Sequence, residues 1–196
     1  MSGLAALLEL EFFRNALLAG ALASVLCGVV GTFVVLKRLV SISGGVAHAA
    51  FGGLGAAYWA GLDPRLGAVA VAAASAIGLG FADGRRARGQ DAAIGVLWAV
   101  GMAVGLVFLH LTPGYAPNLL GFLFGNILMV APADLWIAAG ADLAVLLLLA
   151  LFGKEMVAVA FDEECARLQG VPVRLFSILL LLLVALSVVV LLQLVG

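Results

Sequence analysis

Residues 175–195 read LFSILLLLLVALSVVVLLQLV, a run of 21 positions without a charged side chain. At about 1.5 Å of rise per helical residue it is about 31 Å long, enough to cross a hydrocarbon core of about 30 Å. Working outward from it, five more apolar runs of span length or close to it appear: Asn15 to Leu36, Gly45 to Leu62, Leu66 to Ala82, Ala92 to Leu111 and Leu135 to Phe152. The fold class these runs predict is all-α, a polytopic transmembrane helical bundle of about six spans forming a single membrane domain over residues 1–196. Between the fourth and fifth runs lies an apolar stretch, 118–130, of only 13 residues. It is too short to cross by itself, so a re-entrant or interfacial segment is expected there.

Composition agrees. The AVILMFWYC set makes up 65% of the chain and Asp, Glu, Lys and Arg only 11%, with a mean hydropathy of +1.27. Soluble domains carry about a quarter charged residues. A net charge of −1 offers nothing to nucleic acid. Cys27 and Cys165 lie far apart in sequence and build no disulfide framework or CxxC zinc site. The first run is too long for a signal-peptide core, lacks an A-x-A-like site and is followed by Lys37 and Arg38, so it reads as a retained helix.

Cytoplasmic loops hold the excess of Lys and Arg. With the N-terminus outside, and with 118–130 entering and leaving by the outer face, eight basic residues fall inside and two, Arg14 and Arg65, outside. The expected location is the cell (inner) membrane, with 83–91 and 153–173 on the cytoplasmic face. Pro117, Gly121 and Gly125 suit broken structure, which membranes tolerate only beside protein or water. Small residues recur at Gly20, Ser24 and Gly28, and again at Gly101 and Gly105, as seams for close helix packing.

His48 is the leading candidate for chemistry. Ser41, Gly44, Gly45, Gly52, Gly55 and Trp59 share its helical face, and the flanking glycines predict open space around the imidazole. Neutral imidazole suits first-row transition metals, and ionisable groups inside spans are usually functional. A packing histidine hydrogen-bonded to a neighbouring helix is the plainer alternative. One histidine is not a metal site, and partners are few. His110 lies near the outer end of the fourth run, where it could equally be a solvated terminal residue. Asp142, about two turns into the fifth run, is a candidate ligand, proton carrier or bundle-facing contact. Asp91 fits a cytoplasmic-edge pairing, and Asn126 fits either a pathway lining or a partner for broken backbone.

Phe161 to Val173, FDEECARLQGVPV, is the second informative stretch. Asp162 can cap a short helix with Glu163 and Glu164 in its first turn and Ala166 within it; Gly170 suits its C-terminal cap and Pro172 ends it. Such a helix, held between two spans on the cytoplasmic side, is a surface for a soluble partner or a solvated connection.

Several landmarks, taken in order, carry a resemblance. Arg14 to Gly20, Gly31 to Arg38, Ser43 to Gly53, Asp91 to Gly95, Leu123 to Asn126 and Phe161 to Val173 together resemble the ABC-3 family, the permeases of zinc, manganese and iron ABC importers. The resemblance covers essentially the whole chain. It implies translocation of a divalent transition-metal ion, with zinc favoured and manganese or iron as alternatives, and no permanently bound cofactor. It also implies a separate ABC ATPase docking on the stretch from Asp162 to Pro172, an extracellular or periplasmic metal-binding protein, and a homodimer of permease subunits. In the family, the segment matching Gly44 to His48 supplies metal ligands. Many members carry an acid where this chain has Gly44, which leaves His48 without an adjacent carboxylate. Members also continue for several spans past the position of Gly196, which implies a fragment or a shortened form.

The chain's two lysines, Lys37 and Lys154, lie in no G-x-x-x-x-G-K-[ST] loop, so ATP hydrolysis belongs elsewhere. The rival readings are an ion-coupled secondary transporter using Asp142 and the broken 118–130 segment, and a non-transporting structural membrane protein.

Overall fold

The structure, a computed structural model, describes residues 8–82, 87–112 and 125–195, with the side chains of 82 and 87–91 outside the description. The described residues form α1 (Glu11–Leu36), α2 (Val40–Trp59), α3 (Pro64–Ala82), α4 (Ala87–Leu111), α5 (Pro132–Phe161), α6 (Glu163–Leu168) and α7 (Val173–Leu194). A 3-10 turn at Ile127–Met129 precedes α5. All of these helices except α6 are long and apolar enough to cross a membrane, as the six runs require.

The helix ends follow local chemistry. The Asp63 carboxylate accepts from the Arg65 amide (2.9 Å) and Pro64 opens α3, where its missing N–H costs nothing. Pro132 opens α5 in the same way, and the Asp134 carboxylate accepts from the Ala131 amide at 3.3 Å. Several boundaries differ from the sequence reading, with α1 starting at Glu11 before Asn15 and α4 at Ala87 before Ala92. α2 begins at Val40, five residues before the expected Gly45, because the Ser43 hydroxyl donates to the Val40 carbonyl (2.7 Å) and is satisfied inside the helix. α5 continues nine residues past Phe152, which itself has non-helical angles (φ −125°, ψ 17°) and kinks the helix.

α7 is the centrepiece, its apolar side chains supporting cores on two sides. On one, Phe176, Leu180 and Val184 meet Leu26, Val30 and Phe33 of α1 and Val145, Met156 and Val159 of α5. On the other, Leu181, Ala185 and Val189 meet Ile42, Val46, Ala50 and Leu54 of α2 and Ala68, Ala72 and Ala76 of α3. α4 is held chiefly by α2, and Val96, Val100, Leu106 and Val107 point outward, as lipid-facing residues do.

The α2–α4 contact is made backbone to backbone. A Cβ on Gly52 would lie 2.7 Å from the Gly101 carbonyl oxygen, and one on Gly55 would lie 2.7 Å from that of Gly105. The Gly101/Gly105 pair is therefore the seam its spacing predicts. Among the described residues the Gly20–Ser24–Gly28 stripe is not one. Ser24 and Gly28 face outward, and α1 buries Ala19, Ala23, Leu26, Val30 and Phe33 instead, because the larger apolar face wins the core.

Contacts sort the loops into two ends. At one, Arg65 pairs with Asp134 (2.6 Å), the Asn15 side-chain Nδ2 donates to the Val130 carbonyl (3.4 Å), and Trp59 and Trp136 stand exposed, as residues of an aromatic belt do. At the other, Lys37 pairs with Glu163, and the Arg174 guanidinium lies 4.6 Å from the centre of the Phe81 ring. The chain thus leaves α4 and starts α5 at the same end, as the count of basic residues requires. Arg85 and Arg86 lie outside the described residues, as does 118–124 of the short segment. Its described remainder is Gly125 (φ 52°), Asn126, the 3-10 turn and Val130.

Candidate functional site

His48 lies near the middle of α2, half-buried against α4. Its Nδ1 stands 2.9 Å from the carbonyl oxygen of Gly44, one turn earlier. A carbonyl can only accept, so Nδ1 carries a proton, and in the neutral ring the lone pair is then on Nε2. That tautomer matches the arrangement in which one ring nitrogen binds a metal while the other is fixed by a backbone carbonyl. The space around the ring is not open as its glycine flanks suggest. The Trp98 indole of α4 packs against the imidazole, ring centres 4.6 Å apart and planes tilted by 33°, and the Gly101 backbone fills the space at Gly52.

Asp142 is buried in α5, 6% exposed, and neither carboxylate oxygen has a hydrogen-bond partner in the described structure. Such a group is costly in an apolar bundle and fits the expectation of a functional polar residue inside a span. His48 and Asp142 are not brought together: α2 packs on α3, α4 and α7, while α5 packs on α1 and α7. His110, exposed in the last turn of α4, lies about 18 Å along that helix from Trp98 at 1.5 Å per residue. Among the described residues no three His, Cys, Asp or Glu side chains converge to hold an ion. Asn126 takes the backbone role, its Oδ1 accepting from the Leu128 amide at 3.1 Å. Asp91 falls inside α4, which starts at Ala87, and its side chain lies outside the description.

The second surface is α6. One oxygen of Asp162 accepts from the amides of Glu164 and Cys165, both at 2.9 Å. The other end closes with Gly170 at φ 82°, its amide donating to Arg167 and that of Val171 to Ala166. Ala166, 1% exposed, inserts into the core beside Met156, Val159 and Phe176. Glu164, Arg167 and Leu168 are left facing out, with Leu168 86% exposed. Both helix caps are those the sequence predicts, and Pro172 then leads directly into α7.

Comparison with known proteins now bears on these two features. Residues 9–196 match the profile of the ABC 3 transport family. The chain belongs to that family. A manganese transport system membrane protein, MntC, of Halalkalibacterium halodurans is 34% identical across 97% of this chain and 65% of its own length. A probable metal transport system membrane protein of Chlamydia pneumoniae is 38% identical, covering 91% and 63%, and an uncharacterized membrane protein of Synechocystis sp. is 41% identical, covering 96% and 67%. The ABC 3 chain thus spans about two thirds of the length of these curated relatives. Among solved structures, PsaBC from Streptococcus pneumoniae in complex with Fab superposes with a TM-score of 0.81 at 31% identity, over 98% of this chain and 69% of that one. The bundle therefore shares its fold with that solved chain, and the chain is a multi-pass membrane protein.

Three residues of this ABC 3 chain stand at the candidate surfaces without having been read from the sequence: Trp98 against His48, Lys37 against Glu163, and outward-facing Leu168. Leu168 alone carried a signal, an apolar residue two positions after Ala166 on a polar helix of six residues.

Proposed function

We propose that this chain is the membrane-spanning permease part of an ATP-binding-cassette importer for a divalent transition-metal ion. ATP is hydrolysed on a separate subunit that docks on Asp162 to Pro172, and an extracellular or periplasmic protein delivers the ion. The observation that carries the reading is α6 in its ABC 3 setting: capped at both ends, anchored by Ala166, and presenting Glu164, Arg167 and Leu168 beyond the spans. An exposed leucine ringed by charged side chains is the composition of a protein interface, apolar at its centre and polar at its rim.

In this reading His48 supplies an imidazole nitrogen to the passing ion and Asp142 is a separate polar station on the far side of α7. The remaining donors come from a second copy in a permease homodimer or from residues outside those described. Manganese is the first cargo to test, since relatives bear that name; zinc, favoured from the sequence, and iron are the competitors.

The test is co-expression with candidate ABC ATPases, purification of the complex and uptake into proteoliposomes. ATP-dependent accumulation of manganese, zinc or iron is expected, with loss on His48→Ala at equal protein level. Uptake driven by an ion gradient without any ATPase would replace this reading with a secondary transporter.

A further inference from the structure

The environment of His48 contains a steric unit of three residues on two helices. The Gly44 carbonyl holds Nδ1 at 2.9 Å, and the Trp98 indole lies against the ring at 4.6 Å. Gly44 is also the residue that admits the indole: a Cβ there would stand 2.8 Å from Cζ3, 3.1 Å from Cη2 and 3.6 Å from Cε3 of Trp98. All three atoms belong to the six-membered ring of the indole.

α4 can back away from such a clash only by giving up its close packing on α2. It is already in contact with α2 at Gly45 against Ile94, Gly52 against Gly101 and Gly55 against Gly105, each with a built Cβ within 2.8 Å of the facing atom. Trp98 is 45% exposed, so its indole is the part free to swing outward.

We propose that Trp98 is the positioning residue for His48, its indole clamping the imidazole with Nε2 presented to the ion, and that Gly44 is small because the indole occupies the room a side chain would take. The proposal rests on His48 being a ligand for the transported ion. Without the clamp, the ring turns about χ1 and χ2 and loses its carbonyl partner for part of the time. Loss of an outer partner of a metal-binding histidine costs about 10- to 100-fold in affinity.

Both consequences are measurable separately. The chain has only two histidines, so 15N-imidazole spectra of the full chain in nanodiscs give two ring systems, and His110→Gln assigns them. The parent is expected to show His48 as the Nδ1-protonated tautomer. Trp98→Ala and Gly44→Ala should both shift and average that signal. Gly44→Ala combined with Trp98→Phe should recover it, because phenylalanine keeps an aromatic face but lacks the reach of the six-membered ring of the indole. In ATP-driven manganese uptake, Trp98→Ala and Gly44→Ala should raise KM about 10- to 100-fold, more than they lower the maximal rate, and the double variant should regain most of that loss. The spectra stand whether or not uptake depends on His48. If His48→Ala transports like the parent, the ligand role falls while the spectra still report the clamp. If His48 keeps the parent tautomer and line positions in Trp98→Ala, or if Trp98→Phe fails to rescue Gly44→Ala, the clamp is wrong. Should Trp98→Ala not assemble, the comparison of Gly44→Ala with the double variant decides alone.

Discussion

Lys37, the residue after the last turn of α1, donates to a carboxylate oxygen of Glu163, the first residue of α6, across 126 positions of sequence. The lysine is the more enclosed partner, its side chain 14% exposed against 44% for the glutamate. Two residues on, Leu39 precedes α2, and the turn is made by Arg38 in the left-handed region at φ 56°. The proposed docking helix is therefore tied, through one ion pair and a three-residue link, to the helix that carries His48.

Charge exchange tests that tie. A partly exposed ion pair is worth roughly 0–1 kcal/mol, so Lys37→Glu or Glu163→Lys alone should leave folding nearly intact. Each should nevertheless lower the number of ions transported per ATP several-fold. The Lys37→Glu/Glu163→Lys pair should restore the ratio. Equal coupling in all four proteins would reduce the contact to a surface pair.

The α6 caps make a second test. Gly170 has open space around it, so Gly170→Arg acts through backbone strain at φ 82°, about 1–2 kcal/mol, and not through a clash. Asp162→Ala removes the acceptor for two amides and costs about 1 kcal/mol. Both variants should reach the membrane at parent levels yet lose ATPase co-purification and uptake. Pull-down and transport at parent strength would move the docking surface elsewhere.

Asp142 separates stability from function. Removing a buried polar group that has no partner recovers about 1–3 kcal/mol, so Asp142→Leu should raise the thermal midpoint of the purified protein. The same substitution should lower ion uptake, as the removal of a polar station would. A lower midpoint would mean that the carboxyl has a partner within the fold. Parent-level uptake would take it out of the pathway.

Much of this was readable from the chain, and the limits have physical causes. Six spans follow from apolar length alone, because a bilayer sets the requirement and Leu175 to Val195 meets it without a charge. The α6 caps were readable because Asp162 and Gly170 act on amides within a few residues of themselves. α2 starts before the apolar run because polar Ser41 and Ser43 fall outside a run counted on apolar length, while the Ser43 hydroxyl is satisfied within the helix. What one dimension hides is which helices touch. His48 and Asp142 read as partners by residue type, yet α7 and its two cores intervene. Trp98 carried no mark of its role, since only the register of Gly52 on Gly101 and Gly55 on Gly105 brings it over Gly44.

The kink at Phe152 divides α5 unequally. Pro132 to Leu151 measures about 30 Å at 1.5 Å per residue, the thickness of one hydrocarbon core, while Gly153 to Phe161 adds about 13 Å and carries Lys154 and Glu155. Met156 and Val159 in that second part are fully buried against Phe176 of α7 and Phe33 of α1, so it stays packed on the bundle. α6 hangs from its tip and is braced by Lys37. A subunit gripping α6 would push directly on the core shared by α1, α5 and α7, with the segment beyond Phe152 as the transmitting part and the kink as its fulcrum.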